Sequence, residues 1–366
     1  MDNRMAGLPL WLKTVPLVVA LALGGGCAPT ETSDLGSDDE LGGETTDGGG
    51  LAELQGTIRL DGSSTVYPMA EAICDAFKNE FPNVKTPLGL SGTGGGFKRF
   101  TQGETDVSNA SRPIKDSEFK ECQENGVSFI ELPIAYDGLT IVVHPSNDFV
   151  KQLTVEQIQK IFLTGGANTW KDVDASWPEQ KIEIFSPGTD SGTFDYFKEV
   201  VTDGLSEEQA AFRQGITYAE DDSVLVTGVA GQASAIGYFG AAYFFENQKK
   251  LRAVPIVNPE GKPVSPTPET IENGSYAPFS RPLFIYVKVD SLKRPEMKQF
   301  VEFSLEHAPE MAEKVGYVPL PKSVYDRAFE HYQKRLSGTH YLTDDGEKRA
   351  GPVVEVYVEE NLNAGS

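Results

Sequence analysis

The feature that most constrains the fold is a repeated order of apolar strand, polar loop and helix. Residues 57–60 form the first apolar strand, and Met69, Ile73 and Phe77 then recur at the spacing of one helix face. Similar strand and helix signals alternate over most of the remaining chain. Because strands that alternate with helices build a sheet covered by helices, the pattern predicts an α/β fold with largely parallel sheets.

Three loops between an apolar strand and a helix are rich in Ser, Thr and Gly. They are residues 63–65, 91–96 and 190–193. Ligands of open α/β sheets bind beyond the carboxyl ends of strands, and the free N–H groups of a helix start attract anions. Each loop alone is explained better by helix capping, which is the usual role of Ser and Thr before a helix. Three such loops that converge would form a cage for a small oxyanion, to which Arg112 would add a guanidinium.

The N-terminal segment reads as an export signal. Two basic residues precede a short apolar run at residues 14–23, which is too short to cross a bilayer. Three glycines and Cys27 follow, so residues 1–27 are predicted to be a signal peptide. The Cys after small residues resembles the lipobox of bacterial lipoproteins and predicts lipidation of Cys27. The alternative is an ordinary cleaved signal with an incidental Cys.

The chain is acidic, with 32 Lys and Arg against 54 Asp and Glu and a net charge of −22. Binding to nucleic acid is excluded, because it needs clustered cations to neutralise phosphates. Residues 28–55 contain eight acids and no Lys or Arg, and are predicted to be a flexible tether. In an exported chain Cys74 and Cys122 form either a disulfide or two buried thiols.

Signals for a cofactor, a metal or a catalytic centre are missing from the sequence. The four His residues show no metal-ligand spacing, and the Gly-rich loop at 92–96 lacks one Gly of the dinucleotide fingerprint. The sequence around Ser191 does not have the spacing of a lipase nucleophile elbow. We therefore expect no cofactor and no metal, and an exported hydrolase that uses Ser191 is the alternative from another class.

Six stretches in order resemble the phosphate-binding subunit of bacterial phosphate ABC importers, the PstS family. They are residues 61–72, 91–100, 103–115, 131–145, 153–162 and 188–197. The resemblance implies a type II periplasmic binding protein fold, in which two α/β lobes joined by a two-strand hinge enclose the ligand in a cleft. It also implies an exported, monomeric receptor that is not an enzyme and delivers inorganic phosphate to a membrane permease. The closest alternative is the same fold with another oxyanion, or a phosphate sensor.

The resemblance also implies a division of the chain. Lobe one would comprise residues 56–141 and 251–340, and lobe two residues 142–250. The chain would cross between them near residues 139–144 and 251–257. The tail at 341–366 matches no motif, although its run at 353–358 would suit an edge strand.

By the family pattern, phosphate would contact residues of all three loops and the position after the third strand. These residues are Ser64, Thr65, Ser91, Thr93, Arg112, Ser191, Gly192 and Thr193.

The chain departs from the family at two positions. Arg112 stands where many members have Asp, and Pro187 stands where they have Arg. Either Arg112 supplies the guanidinium from the other lobe, or it points away into a surface ion pair. The missing Asp matters because hydrogen phosphate donates a proton to a buried carboxylate and sulfate cannot.

The candidates for this carboxylate are Asp137, Asp190 and, less favourably, Asp61, which is placed to cap its own loop. Asp137 is preferred because it lies near the expected hinge. Its alternative role is that of a turn residue before Gly138.

Overall fold

The computed structural model describes residues 54–189 and 191–365. The predicted signal peptide at 1–27 with Cys27, the predicted tether except its last two residues, and Asp190 lie outside the described residues. None of the described helices has both the length and the apolar character needed to cross a bilayer.

The described residues form strands and helices that alternate along the chain. The strands are β1 (Gly56–Thr57), β2 (Leu60–Gly62), β3 (Val84–Lys85), β4 (Val107–Ala110), β5 (Phe129–Val143), β6 (Glu183–Pro187), β7 (Ile216–Ala219), β8 (Ala235–Gly240), β9 (Arg252–Ala253), β10 (Ile256–Val257), β11 (Pro263–Val264) and β12 (Ser280–Lys288). The helices are α1 (Tyr67–Glu80), α2 (Gly92–Thr101), α3 (Asp116–Glu124), α4 (Val155–Phe162), α5 (Trp170–Val173), α6 (Gly192–Thr202), α7 (Asp222–Ala230), α8 (Ala241–Asn247), α9 (Pro268–Glu272), α10 (Pro295–Lys314), α11 (Lys322–Lys334) and α12 (Val353–Val356).

One large sheet has the strand order β2-β4-β12-β5-β8-β6-β7, and β9 also pairs with β5. The pairs β2–β4, β6–β7 and β6–β8 are parallel, whereas β12 and β5 are antiparallel to all their partners. The prediction of an α/β fold is therefore confirmed. The expectation of largely parallel sheets is wrong at the centre of this sheet, because the long strands β5 and β12 pair there in antiparallel orientation.

Strand β5 changes its partner midway and so divides the sheet into two halves. Residues 129–138 pair with β12, and residues 139–143 pair with β8. We call β2, β4, β12 and residues 129–138 the first half of the sheet, and β6, β7, β8 and residues 139–143 the second half. All of β5 is buried, as expected for a strand covered on both faces.

The chain returns to the first half at Ser280, which lies opposite Gly138. The predicted second crossing at residues 251–257 is wrong, because β9 pairs with Val142 and Val143 of the second half. The N–H of Leu153 also donates to the carbonyl of Pro255 at 3.0 Å. The boundary predicted at residue 251 therefore falls inside a segment that pairs with the second half.

The helix predicted from Met69, Ile73 and Phe77 is α1, and all three side chains are buried. The ring of Phe77 lies 5.2 and 5.3 Å from those of Phe300 and Phe303 on α10, in edge-on contact. Aromatic pairs at such distances contribute ~0.5–1.5 kcal/mol beyond the area they bury. This contact fixes α1, and with it the loop that precedes α1, on the first half of the sheet.

Cys74 and Cys122 are two free, buried thiols. They belong to separate apolar clusters, one beneath α1 and one beneath α3. Burial raises the pKa of Cys74 to about 11 and that of Cys122 to about 12. Of the two alternatives, the disulfide is therefore wrong.

The segment that leads into the C-terminal tail is held on the first half of the sheet by a buried carboxylate. Glu131 accepts hydrogen bonds from Tyr286 Oη at 2.8 Å, Thr339 Oγ1 at 2.7 Å and the N–H of His340 at 2.9 Å. The predicted edge strand at 353–358 is wrong, because α12 begins there after Pro352. Proline favours a helix start, and packing of the tail overrides the β propensity of its valines.

Candidate functional site

The first Ser/Thr loop precedes α1 and is held by its neighbours. The N–H of Ser63 donates to the carbonyl of Asn109 at 3.0 Å, and the hydroxyl of Tyr317 donates to the carbonyl of Thr65. Thr65 is buried, whereas Ser64 is partly exposed. The loop thus presents the Ser64 hydroxyl and the start of a long helix to the space above the sheet.

The second loop is fastened to the first by Asp61. This carboxylate accepts bonds from the N–H of Gly62 at 2.7 Å, the N–H of Ser91 at 3.1 Å and Ser91 Oγ at 2.8 Å, and also contacts Arg99. Gly96 is needed for this packing, because a Cβ there would lie 2.5 Å from the Cα of Gly62. Asp61 therefore joins the first two loops, and its bond from the Gly62 N–H is the capping of its own loop that we expected. These bonds engage the carboxylate that was the less favoured candidate for the phosphate-proton acceptor.

Residues of the predicted site in this second loop have partners of their own. Ser91 is engaged by Asp61. Thr93 Oγ1 lies 3.0 Å from Ser111 Oγ. Ser91 and Thr93 are thus fixed beside the first loop, and their contact with a ligand stays a prediction.

The third loop crosses from the second half of the sheet to meet the first loop. Ser191 Oγ caps α6 by accepting from the N–H of Thr193 at 3.2 Å. Ser64 Oγ donates to Asp195 Oδ2 at 2.7 Å, and Thr65 Oγ1 donates to the carbonyl of Gly192 at 3.5 Å. A Cβ at Gly192 would lie 2.9 Å from the Cα of Thr65, so only glycine permits this close approach.

A cavity of about 320 Å³ lies where the first and third loops meet. Of the predicted site residues, Ser64, Ser191, Gly192 and Thr193 line it. Its wall also contains two carboxylates that the sequence did not single out, Glu220 and Asp222, the latter with a pKa raised to about 6 by burial. None of the four His residues is among the described residues of this wall, which removes support from a hydrolase that uses Ser191.

Arg112 takes the role of an ion-pair residue. Its Nη2 and Nη1 lie 2.7 and 2.9 Å from the two carboxylate oxygens of Glu118, and the guanidinium also lies over the ring of Phe97. Glu118 in turn accepts from the N–H of Lys115 at the start of α3. The prediction that Arg112 clamps the ligand is therefore not supported, and its ion-pair alternative describes this structure.

Sequence reasoning missed the guanidinium that lies beside the first loop, that of Arg281 on β12. Arg281 Nη2 donates to Thr65 Oγ1 at 2.8 Å, and Nε lies 3.5 Å from Asp137 Oδ2. The guanidinium also stacks on the ring of Tyr196, 3.5 Å from its centroid. Nothing local in the sequence indicates this residue, because its place depends on the pairing of β12 with β5.

Asp137 is a strand residue of β5, so its alternative role as a turn residue before Gly138 is wrong. Its side chain is 1% exposed, and Oδ2 has no hydrogen-bond partner among the described residues. Burial raises the pKa of Asp137 to about 6, and the Arg281 guanidinium opposes that rise. A buried carboxylate oxygen that is ion-paired at 3.5 Å but accepts no hydrogen bond calls for an explanation in function.

The two-part sheet with a cleft lined by Ser, Thr and Gly defines a class of protein. A family model described as a PBP superfamily domain, that of the periplasmic binding proteins, matches residues 48–307. The crystal structure of a possible phosphate binding protein from Planctomyces limnophilus DSM 3776 is similar, with a TM-score of 0.74 and 43% identity over 78% of this chain and 100% of that chain. The predicted type II periplasmic binding protein fold is thereby confirmed.

Curated relatives narrow the class to one family. Protein SphX of Synechococcus elongatus is 41% identical over 285 residues, which are 77% of this chain and 83% of SphX. The phosphate-binding protein PstS of Staphylococcus haemolyticus is 42% identical over 283 residues, 77% of this chain and 87% of that protein. The chain belongs to the PstS family. Its membership confirms the prediction of a binding protein rather than an enzyme.

Proposed function

We propose that this protein captures inorganic phosphate in the cleft between the two halves of its sheet and delivers it to the permease of an ABC transporter. The observation that carries the proposal is the meeting of two Ser/Thr/Gly loops from opposite halves above the same cavity. Relatives of the same family are named phosphate-binding proteins.

The ligand is held by the starts of two helices. Ser64 and Thr65 precede α1, and Ser191, Gly192 and Thr193 form the start of α6. Free N–H groups and the helix dipole favour an anion at each start, and the hydroxyls add donors. Because these groups come from both halves, phosphate binds better when the cleft is closed and shifts the population toward closure.

Asp137 accepts the proton of hydrogen phosphate. Its burial, its unpartnered Oδ2 and its position where β5 passes between the halves support this role. Sulfate has no proton to donate and would leave two anionic oxygens facing each other in a site shielded from water. Asp137 thus selects phosphate against sulfate.

The setting of this receptor follows from the sequence outside the described residues. The signal at 1–27 directs export, Cys27 carries a lipid anchor, and the acidic tether at 28–55 holds a monomeric body away from the membrane. The acidic net charge of −22 does not oppose anion binding, because charges beyond about 8–10 Å are screened at physiological salt. Local amides and hydroxyls decide affinity in the cleft.

Calorimetric titration of the ligand-stripped protein with phosphate tests this assignment. The Ser64→Ala, Thr193→Ala double variant is expected to bind roughly 100-fold more weakly or worse, since each bond to a charged group contributes ~1.5–3 kcal/mol. The matched control is Thr202→Ala at the far end of α6, where the hydroxyl donates only to the carbonyl of Lys198. Equal phosphate affinity in the double variant and the control would contradict the site.

A further inference from the structure

Arg281 connects three parts of the molecule at the point where the chain returns to the first half. It lies opposite Asp137 in the pairing of β12 with β5, and its side chain is 12% exposed. Its guanidinium contacts Thr65 of the first loop and Glu199 of α6, with Nη1 2.7 Å from Glu199 Oε2. One side chain thus bonds to both sides of the cleft.

Two polar atoms of this group are buried without hydrogen bonds among the described residues, Arg281 Nε and Asp137 Oδ2. They lie 3.5 Å apart, in a geometry that does not satisfy either. An unused N–H donor beside an unused carboxylate acceptor complements hydrogen phosphate, which accepts from the first and donates to the second. The guanidinium that carries this donor also contacts the first loop, because its Nη2 bonds to Thr65 Oγ1.

The same cleft brings two carboxylates of α6 onto the donors of the opposite side. Asp195 accepts from Ser64 Oγ at 2.7 Å, and Glu199 accepts from Arg281 Nη1 at 2.7 Å. The two acids are four residues apart and so lie on one face of the helix. Both are exposed side chains, which can swing into water when another anion takes their place.

We propose that Arg281 is a phosphate-binding residue of this cleft, and that Asp195 and Glu199 compete with phosphate for Ser64 and Arg281. This inference rests on the proposed function. An exposed ion pair contributes little, whereas a phosphate held by several donors in a closed cleft gains more from each bond. Phosphate therefore displaces the two carboxylates, and they lower its affinity and ease its release.

The competition predicts a gain of affinity from removing a negative charge. In calorimetric titrations with inorganic phosphate, Glu199→Gln is expected to bind about two- to fivefold more tightly, the factor that an exposed ion pair is worth. Asp195→Asn is expected to act in the same direction. Glu199 is 64% exposed, so its substitution leaves the fold intact.

Glu118→Gln is the matched control, since it frees Arg112 as Glu199→Gln frees Arg281. Its phosphate affinity is expected to equal that of the wild type. If Glu118→Gln bound phosphate more tightly and Glu199→Gln did not, Arg112 rather than Arg281 would be the arginine that binds phosphate, and the inference would be overturned.

Arg281→Lys keeps the charge but loses the planar fork, and is expected to weaken phosphate binding roughly 10- to 100-fold. A thermal melt of the same sample checks that the variant is folded. Wild-type affinity in Arg281→Lys, or unchanged or weaker binding in Glu199→Gln, overturns the inference. Absence of phosphate binding by the wild type would instead refute the proposed function.

Discussion

Replacing Asp137 by Asn is the most informative single change in the cleft. The substitution keeps the size and the position of the side chain but exchanges an obligate acceptor for a group that also donates. In the wild type, the unpartnered Oδ2 of Asp137 accepts the phosphate proton, and the same atom opposes sulfate. The Asn variant is therefore expected to bind sulfate more tightly and phosphate more weakly.

The size of the change follows from the burial of the carboxylate. Leaving a buried acceptor unpaired costs ~1–3 kcal/mol, and more when it is charged, which corresponds to about a 5- to 150-fold change in affinity. Asp137 is almost completely buried, so solvent screening does not reduce this cost. The ratio of phosphate to sulfate affinity should fall by at least that factor in Asp137→Asn.

The pH dependence supplies an internal check. Burial holds the pKa of Asp137 at about 6, so below that pH the wild-type carboxyl is protonated and can donate to a sulfate oxygen. Wild-type sulfate affinity is thus expected to rise more steeply as the pH falls through 6 than that of Asp137→Asn, in which Asp222 of the cavity wall still titrates near this pH.

Paired titrations of both proteins with phosphate and sulfate, at pH 8 and pH 5, measure these effects. Full phosphate selectivity in Asp137→Asn at pH 8 would show that Asp137 is not the acceptor and would assign that role to another carboxylate.

Three further changes test the burial of Asp137, the contact between the two loops and the buried carboxylate of Glu131. Asp137 has a raised pKa in the folded state, so its ionisation destabilises the ligand-free fold: the penalty is absent below about pH 4 and complete above about pH 6. The difference in unfolding free energy between Asp137→Asn and the wild type should grow by up to ~3 kcal/mol across that window, and denaturant melts showing a constant difference would contradict it. Gly192→Ala should force the first and third loops apart at Thr65 and weaken phosphate binding by ~1–3 kcal/mol. Gly94→Ala is the control, because a Cβ at Gly94 would meet no atom within 4 Å, and phosphate titrations of the two variants should therefore differ. Glu131→Ala should lower the unfolding free energy by ~2–5 kcal/mol and leave phosphate affinity unchanged; an unshifted melt would show that the Glu131 carboxylate does not hold Thr339 and His340 in place.

The loops of the site could be predicted because their signals are local. Ser64, Thr65 and residues 191–193 each adjoin a strand end and a helix start in the sequence itself, and strand and helix periodicity locate those boundaries. The α/β class follows from the same periodicity. Convergence of the loops was an inference from the rule that ligands bind beyond strand ends.

The guanidinium and the return crossing could not be predicted, because both depend on pairing between distant strands. Arg281 faces Asp137 only because β12 runs antiparallel to β5. Local reasoning selected Arg112, which lies next to a predicted loop, but Glu118 in the first turn of α3 forms an ion pair with it. The prediction for the tail was wrong for a related reason: α12 begins after Pro352 and its first N–H, that of Val353, bonds to the distant Tyr136 Oη, a contact that a local run of valines does not reveal.

Preference of this cleft for inorganic phosphate over sulfate is measured by calorimetry on the wild-type protein. The ligand-stripped protein is titrated with each anion at pH 8, where Asp137 is ionised. One phosphate per chain is expected to bind saturably, and sulfate is expected to bind at least about fivefold more weakly. Equal affinity for the two anions, or no heat of binding with phosphate, would show that the cleft is not a phosphate-selective site.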